Sequence, residues 1–254
     1  MKSFYPAIYQ ARDMPHLLVW DIETVPDLAG FAAANGHDGK TKDEIRAELG
    51  DKFPKHIYHS IICIGALIAH QQDDHWVVDA LGAPHVGERS ERDLIAAFVD
   101  RIAALNPQMV TFNGSSFDLP VLRYRAMVHK VPAIGLSARP YFHRFTDDAI
   151  DLCDVLSSFA PGAKSTLHEL CRVMGLPGKP DGINGAEVDQ YYRMAEFERS
   201  LTIARAMLST PIGSGFVTSY FRASSRKRRF RQARAIWTSL FRNAAQHRIG
   251  ALGR

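Results

Sequence analysis

Strand and helix signals alternate along the first three quarters of the chain, and that alternation predicts an α/β fold. Leu17–Thr24 and Ser60–Ala69 are apolar runs of strand length. Between Ser90 and Leu105 the apolar residues Leu94, Ile95, Phe98, Val99 and Ile102 recur at helical spacing. A third apolar run, Met109–Phe112, leads into the turn pair Asn113-Gly114.

Each element follows from local chemistry. Leu17–Thr24 reads as a buried first strand. Asp27 to Lys55 is polar, charged and glycine-dotted, so it reads as an insertion with one short helix near Asp43–Leu49. Ser60–Ala69 is a long strand with Trp76–Ala80 as its antiparallel partner. Ser90 is an N-cap followed by acids in the first turn, where the helix dipole favours them. Leu119–His129 and Ser165–Met174 read as helices, the second stopped by Gly175 with Pro177 beyond it. No internal repeat is visible.

Composition narrows the class. The 254 residues are 46% hydrophobic and 23% charged, as in a soluble globular protein with a sizeable core. Cys63, Cys153 and Cys171 lack metal-type spacing and suit free thiols in a reducing compartment. The longest apolar stretch, Ile61–Ala69, is too short to span a bilayer, and no basic segment precedes an apolar one at the N-terminus. A cytoplasmic location without a membrane partner is therefore expected. Charge is uneven: residues 1–189 carry 18 Lys and Arg against 25 acids, whereas residues 190–254 carry 13 against 2. A basic block of that kind usually marks a nucleic-acid-binding tail.

Two carboxylates stand out. Asp21 and Glu23 sit i, i+2 at the end of the first strand, so both project to one side of the sheet. Adjacent negative charges repel unless a cation neutralises them, which suggests a divalent metal site. Solvated acids at an ordinary strand end explain the pair equally well. Asp118 follows a strand and a glycine turn near a helix start. By itself it reads as an N-cap, a role worth about 1 kcal/mol.

Taken together the pattern is more specific. Val19-Trp20-Asp21-Ile22-Glu23-Thr24, followed some ninety residues later by an Asn-x-x-x-Phe-Asp turn at Asn113–Asp118, resembles the first two motifs of the DnaQ-like (DEDD) 3′–5′ exonucleases. The resemblance is to the bacterial group related to the proofreading domain of family-B DNA polymerases. Ile150–Leu156, Leu167–Leu170 and Gly175–Lys179 also look like that group, and the likeness covers roughly residues 15–193. It implies a ribonuclease H-like mixed sheet flanked by helices, with Asp21 and Glu23 on the central strand. It further implies phosphodiester hydrolysis at DNA or RNA 3′ ends with two Mg²⁺ or Mn²⁺ ions. Asp21 would bridge the ions, with Glu23 and Asp118 completing the set. Asn113 and Phe117 would hold the loop or contact the terminal nucleotide, and Thr24 could place its amide or hydroxyl near the 3′ end.

The pattern breaks at the C-terminus. The family's third motif, Tyr-x-x-x-Asp or His-x-x-x-x-Asp, supplies a fourth aspartate, yet no aspartate follows Asp189. Tyr192–Glu196 has the tyrosine spacing but ends in glutamate. The genetic code offers an explanation. Thr202–Met207, written ACT ATT GCG AGA GCG ATG after a Leu201 codon ending in G, reads one base earlier as Asp-Tyr-Cys-Glu-Ser-Asp. The same shift from Met194 to Phe221 permits DGGIREIADYCESDVVNTYRVWLRYELF, which resembles the family's last helices. Residues 1–193 are thus expected to form the exonuclease-like domain and 194–254 an Arg-rich tail translated out of frame. The alternative is a catalytically silent nucleic-acid-binding protein that contacts phosphates through Arg226-Lys227-Arg228-Arg229.

Overall fold

The computed structural model describes residues 15–72 and 75–175. The tail from Met194 and the shifted motif within it lie outside the described residues. In chain order the elements are β1 (His16–Pro26), α1 (Leu28–Asn35), α2 (Lys42–Leu49), β2 (His59–Gln72), β3 (His75–Gly82), α3 (Glu91–Leu105), β4 (Gln108–Thr111), α4 (Asp118–Val128), β5 (Ala149–Asp151), α5 (Leu152–Leu156) and α6 (Leu167–Val173). The five strands form one mixed sheet in the order β3-β2-β1-β4-β5. β3, β2 and β1 pair antiparallel, whereas β1, β4 and β5 pair parallel. Among the described residues no helix is long and apolar enough to cross a membrane.

β1 is the central strand, and its side chains divide between two apolar layers. Leu18, Trp20 and Ile22 pack with α3 and α4 in the larger core, where Trp20 meets Phe98 at 5.0 Å between ring centroids. Leu17 belongs to a smaller core with Leu67, Val110, Ile150, Leu152 and Cys171. Strand alternation therefore continues Asp21 and Glu23 along the face of Leu17 and Val19. The β1–β2 register slips at Glu23/Thr24, which face Cys63 and Ile61 and skip Ile62. A bulge of this kind bends the strand where the acids stand.

The insertion holds more structure than its composition predicts. It contains two helices, and α1 lacks an apolar stripe, so the periodicity gives no sign of it. Its local signals are its caps. Asp27 accepts from the Gly30 amide, and Gly36 closes the helix in the left-handed region at φ 70°. α2 opens on a Thr41/Glu44 capping box.

An ion-pair cluster ties these layers together. Arg125 of α4 is buried and donates from Nε and Nη2 to the two carboxylate oxygens of Glu91, each at 2.7 Å. Its Nη1 reaches Asp27 at 2.5 Å. Glu91 also accepts from the Ile61 amide at 2.6 Å and contacts His129 at 2.8 Å. One guanidinium therefore joins α4 to α3, α1 and, through Glu91, β2. Removing it would leave two inward carboxylates without their cation. Arg125→Met should cost about 3 kcal/mol or more in chemical denaturation. A loss below about 1 kcal/mol would show that the cluster does not hold the layers.

Candidate functional site

The site begins where the sheet splits. β1 and β4 pair only from Leu17↔Gln108 to Val19↔Val110. β4 then turns away through Asn113, at φ 69°, and Gly114. A Cβ on Gly114 would lie 2.5 Å from the Thr111 side chain, so the close approach requires glycine. The chain comes back at the start of α4, and there the Ile22 amide donates to Asp118 Oδ1 at 3.1 Å. A carboxylate thus takes the backbone donor that a longer β4 would have satisfied.

This placement corrects the N-cap reading of Asp118. Phe117 occupies the cap position without a side-chain cap bond, and Asp118 is the first helical residue. Burial pushes the Asp118 carboxyl well above its ordinary range, and the charge of Asp21, then that of Glu23, adds to the shift, while the Ile22 hydrogen bond opposes it. Asp118 and Glu23 are buried, and Asp21 is half-buried. The fold therefore sets Asp118 against β1 at Ile22, the residue between Asp21 and Glu23 in the chain. Among the described residues, however, no group of three or more His, Cys, Asp or Glu side chains is arranged to hold a metal ion. The donor chemistry itself fits a hard divalent cation: all three groups offer carboxylate oxygen, and their mutual repulsion is what such an ion would relieve.

The loop before Asp118 is anchored from below by residues whose roles the sequence did not reveal. Asp151, at the end of β5, accepts from the Asn113 amide at 2.7 Å and the Ser115 amide at 3.0 Å. It also accepts from the Ser115 hydroxyl at 2.5 Å. Asp154, fully buried, takes two bonds from Arg144 at 2.7 and 2.8 Å and an ion pair with Lys164 at 2.9 Å. Lys164 in turn reaches Asn113 Oδ1 at 3.3 Å. Asn113 is thus held by its backbone and its side chain together. Both aspartates lie in the Ile150–Leu156 segment, and their offset of three residues across the junction of β5 and α5 was the available signal.

On another side the site meets aromatic rings. Phe117 and His59 meet nearly perpendicular with ring centroids 5.0 Å apart, and Phe53 stands 5.5 Å from Phe117 and 5.0 Å from His59. Phe53 is 73% exposed. His59 is buried, which lowers its imidazole pKa, and it lies 3.0 Å from the Thr24 hydroxyl and 3.2 Å from the Pro54 carbonyl. A neutral ring satisfies both contacts when Nε2–H donates to Pro54 and the Thr24 hydroxyl donates to Nδ1. The Thr24 hydroxyl is therefore engaged within the fold.

The mixed sheet, with Asp21 and Glu23 inside β1 just beyond the point where its parallel pairing with β4 stops, defines an α/β domain. Residues 51–200 match the family described as a predicted 3′–5′ exonuclease related to the exonuclease domain of PolB, and the chain belongs to that family. The matched span takes in Asn113, Phe117 and Asp118 and begins after Asp21, Glu23 and Thr24. The family B DNA polymerase from the hyperthermophilic archaeon Pyrobaculum calidifontis is similar in structure, with a TM-score of 0.51 and 18% identity over 83% of this chain and 26% of that one. The likeness shows the fold, and the chain spans about a quarter of the polymerase's length. No curated protein matches the chain.

The loop anchor carries a pH signature. Arg144 above all, and then Lys164, hold the Asp154 carboxyl down at about 2. A carboxyl lowered in the folded state stabilises the fold fully above its unfolded value near pH 4, and loses that contribution as pH falls through the folded value. Acid unfolding between about pH 4 and about pH 2 should therefore include roughly 2 kcal/mol from this group. Asp154→Asn should flatten that part of the stability profile. An unchanged profile would show that Asp154 is not clamped.

Proposed function

We propose that the chain is a metal-dependent 3′–5′ exonuclease that removes nucleotides from DNA or RNA 3′ ends. The observation that carries this reading is the burial of Asp118 against β1, beside Asp21 and Glu23. Repelling carboxylates at the open end of a sheet are costly to the fold and useful to a cation-dependent site. Asp21, Glu23 and Asp118 would hold Mg²⁺ or Mn²⁺. When bound, two such ions supply an activated water and stabilise the departing 3′ oxygen. The 3′-to-5′ direction rests on the family.

The chain's own residues do the positioning. Asp151 and Lys164 fix Asn113, and through the loop they fix the entry of α4, so Asp118 meets Ile22 in one geometry. Phe117 and the exposed Phe53 offer aromatic surface beside the carboxylates for a terminal base. His59 keeps Thr24 and Phe117 in place beneath that surface.

The third motif belongs to the same reading. We propose that residues from about 194 onward are translated out of frame, and that the shifted Tyr-x-x-x-Asp supplies the missing aspartate when the frame is restored. A 5′-labelled single strand should be shortened stepwise from its 3′ end in the presence of Mn²⁺ or Mg²⁺, and EDTA or Asp21→Ala should abolish the shortening. The frame-restored chain should be faster by about two orders of magnitude or more, as expected when a carboxylate of a metal site returns. Shortening that persists in Asp21→Ala, or none from either chain, would contradict the exonuclease reading. Equal rates for the two chains would contradict the frameshift.

A further inference from the structure

On the other face of the sheet from Asp21 and Glu23, an apolar cavity of about 220 Å³ lies between the β2–β3 hairpin and α3. Small residues open it. Ala66 of β2 pairs with Gly82 of β3, and Ile68 pairs with Ala80, so the hairpin offers little bulk to the helix here. Ala97 looks back from α3, on the face it shares with Leu94, Phe98 and Arg101. The backbone does not require these small side chains. Gly82 lies outside the left-handed region, and a Cβ on it would meet only the Pro84 ring, at 3.9 Å. Larger residues at Ala80 or Ala97 would fill the space and gain dispersion contacts that the cavity walls forgo.

Charge marks the opening. Arg89 and Arg101 are the only charged residues among those that line the cavity, and both are exposed. Among the described residues neither joins an ion pair, whereas Arg125, Arg139 and Arg144 each hold a carboxylate. The remaining walls are apolar, with Phe98 and Leu94 buried at their base. Behind them stands Trp20, whose ring meets Phe98 at 5.0 Å and whose partner on β2 is Ala66. The Trp20 Nε1–H is buried without an acceptor among the described residues.

We propose that this cavity binds a small aryl carboxylate, its ring between α3 and the hairpin and its carboxylate on Arg89 and Arg101. An apolar cavity of about 150 Å³ takes up one benzene, so this one holds a ring with a short arm. A nucleobase would leave its ring donors and acceptors unpaired against these walls, which disfavours a nucleotide. The site stands apart from the carboxylates of β1 and does not depend on the exonuclease reading.

The test is a ¹⁹F NMR titration of the full chain with 4-fluorophenylacetate, compared with 4-fluorophenylacetamide and with thymidine monophosphate. The carboxylate should bind with a Kd on the order of 1 mM or below, the range of a ligand of this size. The Trp20 indole N–H resonance, assigned through Trp20→Phe, should shift during the titration. Ala97→Leu and Ala80→Leu should each weaken binding by about tenfold or more while the melting temperature holds or rises. The parent should prefer the carboxylate to the amide by about fivefold, and Arg89→Gln with Arg101→Gln should erase that preference. Asp21→Ala should bind as the parent does. No binding by the parent, or binding that survives both cavity-filling variants, would overturn the proposal. Equal affinity for carboxylate and amide would overturn the role of the arginines, and thymidine monophosphate binding lost in Ala97→Leu would overturn the ligand class.

Discussion

The Ile22 amide and the Asp118 carboxylate meet 3.1 Å apart at the point where β1 loses its parallel neighbour, and the site depends on that contact. A central strand cannot leave an inward amide without an acceptor. Because β4 turns off after Thr111, the acceptor must come from the chain's return, and here it is ionisable. The bond that completes the sheet therefore also carries a third carboxyl group to Asp21 and Glu23. Burial and charge both oppose ionisation of Asp118, and one backbone hydrogen bond favours it. Structural need and electrostatic cost fall on the same residue.

Two polar clusters keep that contact from relaxing. Below the loop, Asp151 and Asp154 gather Asn113, Ser115, Arg144 and Lys164, fixing the chain before Asp118. Along α4, Arg125 joins Glu91 and Asp27 and fixes the helix after it. Asp118 is clamped from both directions along the backbone. Buried pairs of this sort add little net stability, but breaking one is expensive, so they specify geometry more than they strengthen the fold.

β1, β2 and α3 were legible because apolar spacing and the Ser90 cap act locally, and those signals survive in the final structure. The mixed sheet with Asp21 and Glu23 on its central strand followed from the family resemblance. α1 escaped notice because Leu28–Asn35 has no apolar stripe, and β5 because three residues carry no period. Arg125 carries no local signal of burial, because α4 has no clear apolar stripe. Its burial depends on Glu91 and Asp27, which lie 34 and 98 positions away in the chain. Asp118 looked like a cap because only the fold shows that the Ile22 amide needs an acceptor there. Phe53 was hidden in a polar insertion, and its place beside Phe117 comes from tertiary packing.

On the proposed reading, Asp118 is held against β1 for a cation and at a cost to the fold. Thermal unfolding of the parent and Asp118→Asn, with and without Mn²⁺, tests it most directly. Asparagine keeps the oxygen that Ile22 needs and removes the charge that Asp21 and Glu23 oppose. The account predicts a melting temperature about 2–4 °C higher for Asp118→Asn without metal, and a Mn²⁺-induced rise in the parent that the variant loses. A variant less stable than the parent without metal, or one with the same rise in Mn²⁺, would contradict it.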